Sequence, residues 1–189
     1  IQKESPLGQI KEVRYNKKKE AFIDASQIQY VAKTGDFLEA GYEYSGALRL
    51  LRIILSYDYL WINVRVKGGA YGCMSGFSRT GEGYFVSYRD PNLERTMEVY
   101  EGIADYLRNF TVSDRDMNKY IIGTMSNIDQ PMTPSAKGDR SFNLYMNKVS
   151  AETIKKERLQ ILEAGQEDIR KLADVVETVM KAEQVCVIG

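Results

Sequence analysis

Within the eight residues Arg65-Val66-Lys67-Gly68-Gly69-Ala70-Tyr71-Gly72, an arginine and a tyrosine enclose two glycines, and a third glycine follows. Arginine presents a planar, permanently charged fork of donors, and a tyrosine hydroxyl both donates and accepts. A pair of this kind can hold backbone carbonyls of another chain or an oxygen that gains negative charge during a reaction. The glycines between them lack Cβ atoms and let a second backbone come close. The same composition also describes an ordinary turn, in which Arg65 is a solvated cation at a helix end and Tyr71 a strand residue. A phosphate loop fits less well. Such loops run from strand into helix, whereas the order here reads helix into strand, and G-x-G-x-x-G is absent.

The rest of the composition narrows what that pair can do. The chain has 189 residues and not one histidine, so it cannot by itself build a Ser-His-Asp or Cys-His site or a histidine-bearing catalytic zinc site. Its two cysteines, Cys73 and Cys186, are far apart and make no C-x-x-C pair, so neither a disulfide framework nor a cysteine metal site is expected. Lys plus Arg and Asp plus Glu both number 26. A net charge of zero removes the electrostatic footprint of a nucleic-acid binder, even with Arg52, Arg65, Lys67, Arg79 and Arg89 set among aromatics. No apolar run approaches the ~18 residues that span a bilayer, and no signal-peptide pattern opens the chain. At 43% hydrophobic and 28% charged residues the composition is that of a folded globular domain. The chain begins at Ile1, not at methionine, and is expected to be a piece of a longer polypeptide that completes the chemistry elsewhere.

The elements that must position the pair follow from pattern. Residues 1–19 are polar and basic, peaking at Lys17-Lys18-Lys19, and are expected to form a linker or arm; residues 20–189 read as one domain. Residues 20–33 predict one long strand or a kinked pair of strands, ended by Thr34-Gly35-Asp36. Tyr44, Leu48, Leu51 and Leu55 recur at helical spacing and predict a helix over Tyr42–Tyr57, with a bend into a short second helix reaching Arg65. Two runs, 71–78 and 83–88, joined by Thr80-Gly81-Glu82-Gly83, predict an antiparallel hairpin. Asp90-Pro91 predicts a helix start, with Asp90 as N-cap and a buried stripe of Leu93, Met97, Tyr100, Ala104 and Leu107. Further helices are predicted to open at Ser113 and at Thr133-Pro134 and to cover 151–162 and 167–181, with Val185-Cys186-Val187-Ile188 closing as a buried strand. Tyr57, Tyr59, Trp61, Tyr84 and Tyr88, at helix and strand spacing, are expected to pack inward; lining a wall is the alternative. Strands, a helix, a hairpin, a run of helices and a last strand predict an α+β fold.

Several runs, in order, carry a resemblance: Tyr42-Glu43-Tyr44-Ser45-Gly46-Ala47-Leu48, Leu55-Ser56-Tyr57-Asp58-Tyr59-Leu60-Trp61, Val64 to Gly72, Tyr88-Arg89-Asp90-Pro91-Asn92-Leu93 and Lys119-Tyr120-Ile121-Ile122-Gly123-Thr124. From about residue 20 to the end the chain resembles the C-terminal domain of presequence-protease-like members of the insulinase (M16) metallopeptidases. The resemblance implies the LuxS and mitochondrial-processing-peptidase-like metallohydrolase fold, an antiparallel or mixed sheet with helices on one face. It implies a parent of two similar halves that close around a chamber admitting unfolded peptides. In that family zinc is held by H-x-x-E-H in the first domain, where the glutamate is the general base; this chain has no such motif. It would be the last domain, inactive alone, with zinc and the zinc-bearing N-terminal half of the same polypeptide as its implied cofactor and partner. Arg65 and Tyr71 match the positions at which the family holds the substrate backbone and the scissile carbonyl, which makes both substrate-binding and Tyr71 catalytic. Bacterial members imply a cytoplasmic location, and others a mitochondrial or plastid one. Non-catalytic structural or substrate-binding subunits share the fold and remain the alternative.

Overall fold

The computed structural model describes residues 18–189, and the arm expected over 1–19 lies outside the described residues except for Lys18 and Lys19. Among the described residues five strands form one mixed sheet: β1 (Lys19–Phe22), β2 (Gln29–Asp36), β3 (Gly72–Phe77), β4 (Glu82–Asp90) and β5 (Gln184–Ile188). Their order is β1-β5-β2-β4-β3. β1 and β5 are parallel and the other pairs antiparallel. The single long strand or kinked pair expected over 20–33 is instead two strands that do not touch, because β5 inserts between them. Gly35 does not end β2 but sits inside it, where an added Cβ would come within 2.9 Å of Val179 Cα and 2.7 Å of Ala182 Cβ.

Among the described residues, helices cover one face of the sheet only. Along β2, Val31, Lys33 and Gly35 are buried, while Tyr30 on the other face is 51% exposed. The register puts Tyr88, Val86 and Tyr84 of β4 and Met74 of β3 on that same open face. The predicted burial of β5 is corrected for this reason: its residues are half-buried and Ile188 is exposed.

On the covered face lie α1 (Ala47–Ile54), α2 (Leu93–Glu101), α3 (Ile103–Arg108), α4 (Asp114–Ile128), α5 (Pro134–Met146), α6 (Ala151–Leu162), α7 (Gln166–Lys171) and α8 (Ala173–Lys181). The apolar faces of α1 to α4, α7 and α8 meet in one core with Leu48, Leu51, Ile54, Phe85, Tyr100, Ile103, Leu107, Ile169, Val176 and Val179, whereas α5 buries no residue. Burying each such aliphatic side chain stabilises by about 1.5–3 kcal/mol, and the fully buried leucines of α1 fix its rotation against the sheet.

The helix predicted from Tyr42 begins later, at Ala47, because Gly46 gives its N–H to the Gln160 side chain at 2.8 Å. It then runs on through two π-helical segments, Leu55–Tyr59 and Trp61–Val66. Leu55, Leu60 and Val64 are all buried, and the first two are five residues apart. A helix of 3.6 residues per turn would carry the second off the core, whereas i→i+5 bonding keeps both inward. The inward packing expected of the aromatics fails here: Tyr57 is 67% exposed and Trp61 43%. The helix expected over 167–181 is broken at Leu172, and that expected from Pro91 is broken at Gly102.

Candidate functional site

The π-helical run delivers Arg65 to its last turn, with its guanidinium carbon 3.9 Å from the centroid of the Trp61 ring one turn earlier. The helix then ends on Gly69, whose φ of +83° is the left-handed conformation that an L side chain resists. Gly69 N–H donates to the Arg65 carbonyl and Ala70 N–H to the Val64 carbonyl, closing the helix end with backbone alone. Two residues on, Tyr71 enters the hairpin, its N–H donating to the Arg89 carbonyl at 3.2 Å.

The end of β4 holds this connection in place. Asp90 is fully buried and accepts from Ser87 Oγ at 2.6 Å, Thr96 Oγ1 at 2.6 Å and Asn92 N–H at 2.9 Å. Asn92 in turn donates from Nδ2 to the Gly68 carbonyl at 2.6 Å. Asp90 is therefore the last residue of a strand and the anchor of a corner, not the N-cap predicted from sequence; the helix starts at Leu93 with Asn92 as its N-cap. A buried carboxylate is tolerated because three donors replace water. Tyr88 lies over Gly72, where an added Cβ would come within 2.4 Å of its ring, and meets Tyr71 edge-on at a centroid distance of 5.6 Å.

The structure thus brings together the two residues singled out by sequence. The Arg65 guanidinium carbon is 5.9 Å from the Tyr71 ring centroid, and Tyr71 is 58% exposed. It also adds a residue that sequence reasoning weighed only as part of a basic surface. The guanidinium carbon of Arg89 is 5.4 Å from the same ring. Among the described residues no ion pair involves Arg65, Lys67 or Arg89. The signal available in the sequence was Asp90-Pro91 directly after a strand, which marks a corner and so marks the residue before it.

Next to this group, burial pushes the Cys73 thiol up to about 11; Arg65 pulls it down and Asp90 adds to the rise. Desolvation of the thiolate outweighs one nearby guanidinium. The thiol is therefore neutral near pH 7 and a poor nucleophile or metal ligand. No group of three or more Cys, Asp or Glu among the described residues could hold a metal ion, and the chain has no histidine. A cavity of about 620 Å³ on the covered side, lined by Lys33, Met97, Glu101, Met180, Val185 and Val187, includes none of the three site residues. Among the described residues no helix is long and apolar enough to cross a membrane.

What this arrangement offers is an exposed phenol with two cations beside it that have no ion-pair partner among the described residues, on a corner fixed by buried hydrogen bonds. Comparison with known proteins gives the corner a family context. The sequence model of a family described as PreP C-terminal domain matches residues 19–189. "Protein HypA" of Clostridium perfringens is 47% identical over 173 residues, covering 92% of this chain and 18% of that protein. "Presequence protease 1, chloroplastic/mitochondrial" of Arabidopsis thaliana is 36% identical, covering 85% of this chain and 15% of its own length. The chain thus spans less than a fifth of these relatives. Among solved structures, the inactive domain of a peptidase M16 protein from Pseudomonas fluorescens superposes with a TM-score of 0.64 at 13% identity, over 89% of this chain and 42% of that one. That likeness bears on the fold alone, and it agrees with an α+β sheet covered on one face.

Proposed function

The chain belongs to the C-terminal domain family of presequence-protease-like zinc peptidases, and on that premise we propose that it serves a longer peptidase by gripping peptide with Arg65 and Tyr71. The observation that carries this reading is the exposed Tyr71 phenol held beside Arg65 on a corner that backbone and buried hydrogen bonds fix. When a peptide carbonyl is attacked, its oxygen gains negative charge. A phenol aimed at that oxygen binds the transition state more strongly than the ground state and so accelerates the step. Arg65 donates to backbone carbonyls of the same peptide and holds it in register.

Zinc is the metal expected of such a parent, and the residues of this chain do not fit it: there is no histidine, and among the described residues no cluster of ligands. Its ligands would come from another part of the polypeptide, the N-terminal half. Tyr71 and Arg65 would then reach a bound peptide only when the two halves close on it. Unfolded peptides suit the site because its donors address backbone groups. A bacterial source fits the Clostridium perfringens relative, and a cytoplasmic location is part of the same proposal.

The test is Tyr71→Phe in the full-length polypeptide that carries this segment, assayed on an unstructured peptide. Loss of one such donor lowers kcat by about 10²–10³ with little change in KM. Near-wild-type turnover would overturn the role of Tyr71 and move the domain to a structural or substrate-binding part. Chelator-sensitive cleavage by this segment alone would overturn its dependence on the rest of the parent.

A further inference from the structure

Arg89 stands out first for its backbone. Its φ is +49°, a region that arginine seldom occupies. The pairing explains how it gets there. Gln29 pairs with Asp90 and Val31 with Ser87, so β4 takes three steps where β2 takes two. The extra residue makes a bulge, and bulges re-aim a side chain out of the regular alternation of a strand. Here the re-aimed side chain is exposed and brings its guanidinium to the Tyr71 ring.

Two guanidiniums then share one ring, at 5.9 and 5.4 Å from its centroid, both within cation–π reach. Lys67 adds a third cation on the connecting loop. Among the described residues no ion pair answers their mutual repulsion. The carboxylate closest in sequence, Asp90, is buried and engaged by Ser87, Thr96 and Asn92. A partly exposed cluster of fixed positive charge, with no carboxylate of its own among the described residues, is complementary to an anion brought from outside, and an arginine fork matches a carboxylate best.

We propose that Arg89, together with Arg65, binds a carboxylate of the peptide next to the carbonyl that Tyr71 contacts, so that Arg89 is a specificity-determining residue. The proposal rests on the reading that Arg65 and Tyr71 face the peptide. The carboxylate is either an acidic side chain or the peptide's own C-terminus, and both present the same two oxygens to the fork.

The experiment measures KM of the full-length polypeptide for matched unstructured peptides. One pair differs by Glu or Gln near the cleaved bond, and another by a free or amidated C-terminus. The acidic member of at least one pair is expected to show a KM lower by about 3–10-fold, the effect of a charge-assisted contact weakened by exposure. Preference in the first pair identifies a side-chain carboxylate, and in the second the terminal one. Arg89→Gln should bring the ratio to parity, Arg89→Lys should keep part of it, and raised salt should compress it. Equal KM values in both pairs, or a preference that survives Arg89→Gln, would overturn the proposal. If Arg89→Gln fails to fold, Arg65→Gln carries the test, since a preference unchanged there overturns it equally. Tyr71→Phe separates the two readings. Its kcat reports on the carbonyl contact, while its Glu-to-Gln ratio should stay as in the wild type.

Discussion

The β3–β4 hairpin sets an arginine against a tyrosine at each of its ends, and the two ends differ in what answers the charge. At the turn, the Arg79 guanidinium carbon is 5.3 Å from the Tyr44 ring centroid, and Arg79 also grips Glu157, with Nε 2.6 Å from Oε1. Glu157 is buried, and Arg49 stands 3.9 Å from it. The Arg79–Glu157 hydrogen bond raises the Arg79 pKa and ties the hairpin to α6, which Arg49 links in turn to α1. At the other end, Arg65 and Arg89 approach Tyr71 with no carboxylate among the described residues to close the pair. The same two residue types make a clamp in one place and an open contact in the other. What decides between them is a counter-ion that the fold either supplies or withholds.

If that distinction is right, the largest effect on stability comes from opening the clamp. Glu157→Ala leaves a half-buried guanidinium without its partner and should destabilise this chain by about 3 kcal/mol, the low end for a broken buried pair because Arg79 keeps part of its side chain in water. Urea unfolding would measure it. A loss below about 0.5 kcal/mol, the level of ordinary surface changes, would erase the contrast. Arg65→Ala should do the opposite, leaving the urea midpoint nearly unmoved while raising KM of the full-length polypeptide about tenfold, as for one charged hydrogen bond at a half-exposed site. An unchanged KM with peptide substrates would count against the open contact.

The smallest effect reads the local field. The Cys73 thiol is pushed up to about 11 from its ordinary 9.0, so between those values the unfolded chain loses its proton first and stability falls as pH rises. Below about pH 9 both states keep the proton and Cys73 contributes no slope. Iodoacetamide should therefore modify Cys73 more slowly in the native chain than in urea at the same alkaline pH. Arg65→Gln removes the charge that pulls the thiol down and should slow the native reaction further. Arg79→Gln, with its charge tied to Glu157, should not, and mass spectrometry of the alkylated chain would separate these outcomes.

Much of the architecture was legible because it is local. Ser113 and Thr133 accept from backbone N–H groups three residues on, as N-caps should, and the hairpin follows from two apolar runs around a glycine turn. The proximity of Arg65 and Tyr71 was legible for the same reason: only a tight, glycine-closed helix end separates them. What escaped depends on distant partners. Nothing between Lys19 and Asp36 shows that β5, from the far end of the chain, will part β1 from β2. Asp90 looks like a helix cap until Ser87 and Thr96 are found to bury it. Tyr57 and Trp61 stay in solvent because a π-helical run turns Leu55 and Leu60, five residues apart, inward in their stead. Arg89 was hidden most deeply, since its direction comes from a bulge and not from its neighbours' types.

The left-handed backbone at Arg89 also bears on how this chain can change over generations. A glycine would adopt that φ without strain, whereas an L side chain there costs about 1–2 kcal/mol. Selection for thermal stability alone would therefore favour replacing Arg89, and the fold would tolerate the exchange. Retaining an arginine at such a position sets durability against recognition. In homologues from hot habitats, residue 89 is the place where that conflict should be visible as compensation elsewhere in the corner and not as a change of the residue itself.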